Sequence, residues 1–232
     1  EIVLMNVLMN NINERPICFA FNGKKQHQIN LEPYLIQHGM VNILAPIQRK
    51  NPQLNPKIVA TDMMYPYIMN TVQFDGLESD EKFIRNENVT YAREILRQNY
   101  YFLAQALLEE GNTQKAIAVL DKCNTLFPNK TIPYKQYSYA IGKLYVRAGN
   151  TEKGIAICKT AMQNIWSELQ WMVSFDPPYP IINLRHAYRL KGMYFQMMQQ
   201  FPSGTQNAPI SEKMFHEFDT AFSSWQKRNW PY

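Results

Sequence analysis

The sequence is sparing in the groups from which most active sites and membrane spans are built. It has three cysteines, Cys18, Cys123 and Cys158, in 232 residues. Their number is odd, they are far apart and no Cys-x-x-Cys spacing occurs, which argues against a disulfide framework and a zinc site alike. Each is expected to be a small buried hydrophobe. The four histidines, His27, His38, His186 and His216, pair with no carboxylate or cysteine at ligand spacing, so neither metal nor cofactor is expected. The glycines form no phosphate loop and no dinucleotide fingerprint, and no Gly-x-Ser-x-Gly elbow occurs. The acidic pairs Asp80-Glu81 and Glu109-Glu110 fall in or beside turns, where solvation rather than acid–base work is expected. No apolar run reaches the roughly 18 to 20 residues that a membrane helix needs, and the nearest, residues 2–9, is broken by Asn6. The reading is a chain with no reaction of its own.

What is present is a core. The chain is 46% hydrophobic and 13% aromatic, and its 24 basic and 19 acidic side chains leave a net charge of +5. Residues 1–90 hold eight basic and nine acidic groups, so the excess lies in the remainder, where it is dispersed with no run longer than Lys227-Arg228. A solvated helical surface is expected there, and no nucleic-acid partner. The sequence starts at Glu1 with no basic, apolar leader, and reads as an excised piece or a processed chain.

Residues 1–76 read as a small α/β segment. Ile2, Met5, Met9 and Ile12 recur at helical spacing until Arg15-Pro16, where proline disfavours helix for its predecessor. Ile17-Cys18-Phe19-Ala20-Phe21 reads as a strand closed by Asn22-Gly23. Asn30 is expected to cap a short helix carrying Leu31, Tyr34 and Leu35 and ending at Gly39, with a second strand over residues 41–47 and a parallel crossover between the strands. A surface loop is expected over residues 48–57. Thr61 or Asp62 then caps a helix that tolerates Pro66 in its first turn, with Ile68, Met69 and Val72 on its apolar side. Residues 74–80 read as the hinge.

Residues 77–232 read as helical hairpins. In residues 97–128, Tyr100, Leu103, Ala104, Leu107, Gly111, Ala116, Leu120, Cys123 and Pro128 carry the bulky, large, small, large, turn-glycine, small, large, small, proline order of the ~34-residue tetratricopeptide pattern. The pattern recurs over residues 135–166 as Ile141, Gly142, Tyr145, Gly149, Gly154, Cys158 and Ala161, with Gly111-Asn112-Thr113 matched by Gly149-Asn150-Thr151. Small residues at Ala104, Gly142, Ala116 and Gly154 are expected where paired helices cross closely. Gly111 and Gly149 should end the first helix of each pair in the left-handed region, and Thr113 and Thr151 should cap the second. An ordinary antiparallel bundle is the alternative. The second hairpin's last helix runs on to about residue 175, until Asp176-Pro177-Pro178-Tyr179-Pro180. A degenerate capping hairpin over residues 181–228 follows, with Tyr188, Gly192 and Phe195 in weak register. The expected fold class is mainly α, a tetratricopeptide-like helical hairpin array preceded by a small α/β segment.

Such an array works through its concave face. Carrying the phase forward, that face holds Gln98, Tyr101, Gln105 and Leu108, then Gln136, Tyr139, Lys143 and Val146, then His186, Arg189 and Met193. Tyrosines for contact area and amides for backbone hydrogen bonds suit a peptide. The Lys/Asn pattern of carboxylate-clamping repeats is not reproduced. The alternative is that the N-terminal segment folds back and fills the groove.

A family resemblance adds a biological expectation. Asn10-Asn11-Ile12-Asn13-Glu14-Arg15-Pro16-Ile17-Cys18-Phe19-Ala20, Leu31-Glu32-Pro33-Tyr34-Leu35, Gly39-Met40-Val41-Asn42-Ile43-Leu44-Ala45-Pro46-Ile47 and Thr61-Asp62-Met63-Met64-Tyr65 resemble the soluble C-terminal region of a family of large Bacteroidetes membrane proteins. The membrane portion of that family is similar to protein O-mannosyltransferases and a tetratricopeptide region follows it. The likeness continues through Phe127-Pro128-Asn129-Lys130-Thr131-Ile132-Pro133-Tyr134 and fades after Trp166. It implies a non-catalytic domain on the extracytoplasmic, periplasmic side, tethered through an upstream membrane portion that transfers a sugar to exported proteins. It also implies a protein or peptide partner, the acceptor or an assembly partner. The catalytic acidic residues of such enzymes lie in the membrane portion, so none is carried over, and Arg15 is expected to anchor the first strand. A stand-alone peptide- or glycan-binding adaptor of the cell envelope is the alternative.

Overall fold

The computed structural model describes residues 2–20, 30–45, 58–73, 87–174, 184–201 and 212–229. The chain forms two compact units, Glu1–Phe127 and Pro128–Tyr232. The division expected at 76/77 follows element type and lies outside the described residues, as do the expected hinge, the loop over residues 48–57 and the Asn22-Gly23 turn.

The first unit opens with α1 (Ile2–Asn11), followed by β1 (Cys18–Ala20), a 3-10 turn (Glu32–Tyr34), β2 (Leu35–His38), β3 (Val41–Leu44), β4 (Ile58–Val59), α2 (Thr61–Pro66) and a π-helical turn (Tyr67–Thr71). The sheet order is β1-β3-β2-β4, with β3 antiparallel to both β1 and β2 and β4 parallel to β2. This corrects the expected helix at Leu31 to Gly39 and the parallel crossover. Only Glu32–Tyr34 turn helically, Leu35 begins a strand, and Gly39, at φ +58°, opens a two-residue hairpin loop between His38 and Val41. A left-handed glycine ends helices and turns hairpins equally well, so the sequence sign was ambiguous. Asn30 caps nothing. It is itself left-handed at φ +57°, and Leu31 precedes the 3-10 turn without a side-chain cap. The helix at Thr61 is present, but Ala60 is its N-cap residue and makes no side-chain cap.

Thr61 serves a tertiary purpose instead. Its Oγ1 donates to Glu110 Oε1 at 2.8 Å, and Gln37 Nε2 donates to Asn99 Oδ1 at 2.8 Å in a buried contact. These bonds tie the small sheet to the hairpin of α3 (Glu87–Glu109) and α4 (Thr113–Leu126), and Lys122 Nζ closes the set by donating to the Ile68 and Met69 carbonyls at 2.9 and 2.8 Å. The ammonium thus satisfies acceptors near the end of the preceding helical turn. Within the hairpin Arg97 is 1% exposed, and its Nη1 and Nη2 donate to Glu94 Oε1 and the Phe127 carbonyl. By contrast α1 has no buried residue, and Ile2, Val3, Met5, Val7 and Met9 are all exposed. Cys18 is exposed, against expectation, because β1 lies at the sheet edge, while Cys123 and Cys158 are buried as expected.

The second unit contains α5 (Gln136–Arg147), α6 (Thr151–Val173), α7 (Leu184–Gln199) and α8 (Glu212–Asn229). The expected close crossing is there. A Cβ on Gly142 would lie 2.7 Å from the Gly154 carbonyl, and one on Gly154 would lie 2.5 Å from the Gly142 carbonyl. Ala104 and Ala116, at the same phase in the first hairpin, are fully buried. The two hairpin turns share one geometry. Gly111 and Gly149 have φ of +80° and +89°, and the next N–H reaches back over the turn, Asn112 to the Leu107 carbonyl at 2.8 Å and Asn150 to the Tyr145 carbonyl at 2.9 Å. This is the six-to-one closure of a Schellman turn. That closure serves the carbonyls of the first helix only; at the start of the second, Thr113 and Thr151 are first helical residues behind Asn112 and Asn150, neither asparagine makes a side-chain cap, and the expected threonine caps are corrected.

The over-long helix is present: α6 has 23 residues against 14 in α4, and ends at Ser174, whose Oγ donates to the Trp171 carbonyl. Its extension buries Trp166, Leu169 and Met172 against Leu190, Tyr194, Phe218 and Trp225 of α7 and α8. The register expected for α7 is corrected. Ala187, Leu190, Tyr194 and Met197 face the core, whereas Tyr188, Gly192 and Phe195 face outward.

Candidate functional site

Of the residues placed on a concave face, eight polar and aromatic ones fall in two sets. Gln98, Tyr101 and Gln105 lie half-buried along one side of α3, with the Tyr101 and Phe102 rings edge to face and Gln105 Nε2 donating to Glu109 Oε1 at 3.0 Å. Gln136, Tyr139, Lys143, His186 and Arg189 lie on α5 and α7 of the second unit.

Tyr139 does not belong on an open surface. It is 4% exposed, and its hydroxyl donates to the Met197 carbonyl at 2.6 Å, while burial holds the phenol protonated far above its ordinary range. One turn on, Lys143 Nζ donates to Gln200 Oε1 at 3.0 Å. These two bonds set α7 beside α5, so the stripe through Tyr139 is a seam between helices. The outward side of α5 carries Gln136, Lys143 and Arg147. The outward side of α7 carries Arg185, Tyr188, Arg189, Gly192, Phe195 and Gln196. Tyr188 packs edge to face on Phe222 and donates its hydroxyl to Gln226, and Phe195 stacks on Phe215 at 5.6 Å, so both exposed rings lean on α8.

His186 is also not as expected: it meets a carboxylate. Glu168 of α6 receives Lys135 Nζ on Oε2 and His186 Nε2 on Oε1, each at 2.8 Å. Arg189 Nη2 lies 3.0 Å from His186 Nδ1. Arginine can only donate, so Nδ1 accepts and the ring proton is on Nε2, directed at Glu168. Burial raises the Glu168 carboxyl, the Lys135 and His186 hydrogen bonds and the Lys135 charge lower it, and the donors win, leaving it below its ordinary value of 4.5. The order Glu168, His186, Arg189 fixes the arginine on the outward side of α7. Glu168 escaped the sequence reading because it is eighteen residues from its partner.

Burial pushes the Cys123 and Cys158 thiols up to about 12, which leaves them poor nucleophiles. Among the described residues no three His, Cys, Asp or Glu side chains are placed to hold a metal ion, and no helix is long and apolar enough to cross a membrane.

Residues 98–130 match the family model of the tetratricopeptide repeat. The match supports a tetratricopeptide-repeat-containing domain in this chain. The matched span covers the second half of α3, the Gly111 turn and α4, and α5 and α6 reproduce its turn glycine and small crossing positions 38 residues later. The fold is a mainly helical hairpin array after a small α/β segment. Repeat domains of this kind bind proteins or peptides and are ordinarily not catalytic. No curated protein and no solved structure matches the chain.

Proposed function

We propose that the chain is a non-catalytic, protein-binding accessory domain of a membrane glycosyltransferase similar to protein O-mannosyltransferases, placed on the extracytoplasmic side, where it presents acceptor protein or joins the enzyme to an assembly partner. The observation that carries the binding part is the repeat itself, matched at residues 98–130 and followed by a second hairpin with the same glycine turn. The glycosyltransferase part rests on the resemblance of the Arg15-Pro16-Ile17 block and the segments around it. Arg15 acts there as a junction: its N–H donates to the Asn11 carbonyl at 2.9 Å, extending the last turn of α1 before Pro16 releases the chain into β1.

Two measurements test the reading. Upstream of Glu1, the source reading frame should encode several apolar stretches of ~20 residues. A cleavable leader alone would favour a free-standing envelope adaptor, a second reading supported by the basic, aromatic side of α5 and α7, which requires no upstream portion. Sugar transfer by this chain in isolation would overturn the non-catalytic assignment.

A further inference from the structure

The outward side of α5 and α7 has a charge sign and a shape. Residues 128–232 carry twelve basic and six acidic side chains, so the whole positive excess of the chain is theirs. Neither α5 nor α7 contains an Asp or Glu. The described acids nearby are spent on other cations: Glu168 on Lys135 and His186, Asp219 on Lys191, Glu217 on Lys213. Arg147, Arg185 and Arg189 meet no carboxylate among the described residues.

Gly192 lies mid-helix at the centre of this side, where glycine costs about 1 kcal/mol relative to alanine. Gly142 and Gly154 repay that cost through a close crossing, but no described atom lies within 4 Å of a Cβ placed on Gly192. Tyr188, one turn before, and Phe195, one turn after, stand exposed on either side of it. The result is a bare stretch of helix backbone between two aromatic walls.

We propose that this side of α5 and α7 docks an extended acidic peptide segment bearing a large apolar side chain. The backbone of the segment approaches over Gly192, its apolar side chain packs between Tyr188 and Phe195, and its carboxylates meet Arg185 and Arg189. Two residues four apart on a helix have Cβ atoms about 5–6 Å apart, and alternate residues of an extended chain lie about 7 Å apart, so one arginine reaches each alternate carboxylate. Glu168, through His186, is a positioning residue for Arg189. The inference rests on the protein-binding reading and names its partner's chemistry.

The test uses the full chain and fluorescence anisotropy with three labelled peptides: an Asp/Glu-rich peptide with a central Phe, its Asn/Gln counterpart and its Lys counterpart. The acidic peptide should bind at least about tenfold tighter than the neutral one, and should weaken as salt is raised. Arg185→Gln with Arg189→Gln should cost roughly five- to tenfold. Gly192→Leu fills open space, so helicity and melting temperature should hold or rise while acidic-peptide binding falls about tenfold or more. Equal binding of acidic and neutral peptides, both blocked by Gly192→Leu, would overturn the acidic partner and leave the protein-binding reading standing. No saturable binding by any peptide would count against both. Competition by oligo(dT) as effective as by the acidic peptide, and indifferent to Gly192→Leu, would make the surface a general polyanion binder and overturn the inference.

Discussion

A methyl group added at Gly142 would sit 2.6 Å from Cys158 Sγ and 2.7 Å from a carbonyl oxygen, whereas one added at Gly192 would meet nothing described within 4 Å. Backbone cannot swing away as a flexible side chain can, so the same substitution has opposite signs at the two sites. Gly142→Ala should lower stability by about 2–4 kcal/mol. Gly192→Ala should raise it by about 1 kcal/mol. Urea unfolding midpoints at constant m-value measure both. Glu168 gives a pH-dependent counterpart. Its carboxyl titrates lower in the folded chain than in the unfolded one, so its contribution is complete above the ordinary value of 4.5 and disappears as pH falls through the lower folded value. Glu168→Gln should therefore cost about 1 kcal/mol at neutral pH and nothing in acid, seen as a flatter acid limb in stability against pH. At this scale the small crossing residues were legible, because the repeat spacing fixes which positions must be small. The burial of Tyr139 was not. Helical spacing tells which residues share a stripe, and only the neighbouring helix decides whether the stripe is a seam or a surface.

The paired turns show how an element is stopped and restarted. Gly111 and Gly149 hold φ angles that a side chain resists, with open space around both, so strain rather than a clash decides the outcome of substitution. Gly149→Ala should lower the melting temperature by an amount equivalent to about 1–2 kcal/mol, and Gly149→Asn should cost less, because asparagine tolerates the left-handed region. The repeated Gly-Asn-Thr made these turns readable before any coordinates, though the expected threonine caps are absent: Thr113 and Thr151 already lie inside the second helix, one residue past its cap position. The β2 strand was missed for a related reason. Four residues after a 3-10 turn are too few for a period of two to separate from a period of 3.6, and Gly39 fits either reading. In α7 the expected register failed because the small residue facing the core is Ala187 and not Gly192.

Across the whole chain, division into two units follows from where contacts are made. The second unit has a continuous aromatic and aliphatic core of its own, from Tyr139 through Trp166 to Trp225. Residues 128–232 produced alone should therefore unfold cooperatively, with coincident far-ultraviolet and tryptophan fluorescence transitions, and a non-cooperative melt would deny them that independence. The repeat pattern made the helical plan readable, since it rests on side chains repeated at fixed spacing. Pairing between helices separated by a loop, such as Glu168 with His186, is set by three-dimensional geometry and was not readable in the same way.

The side of α8 turned from this core carries Lys213, His216, Glu217, Thr220, Ser223, Ser224 and Lys227, opposite the buried Phe215, Phe218, Phe222 and Trp225. A further hairpin laid there would have to strip water from charges and hydroxyls and return no oily contact. An engineer wishing to stack one there would first have to repaint that flank of α8 in leucine and alanine.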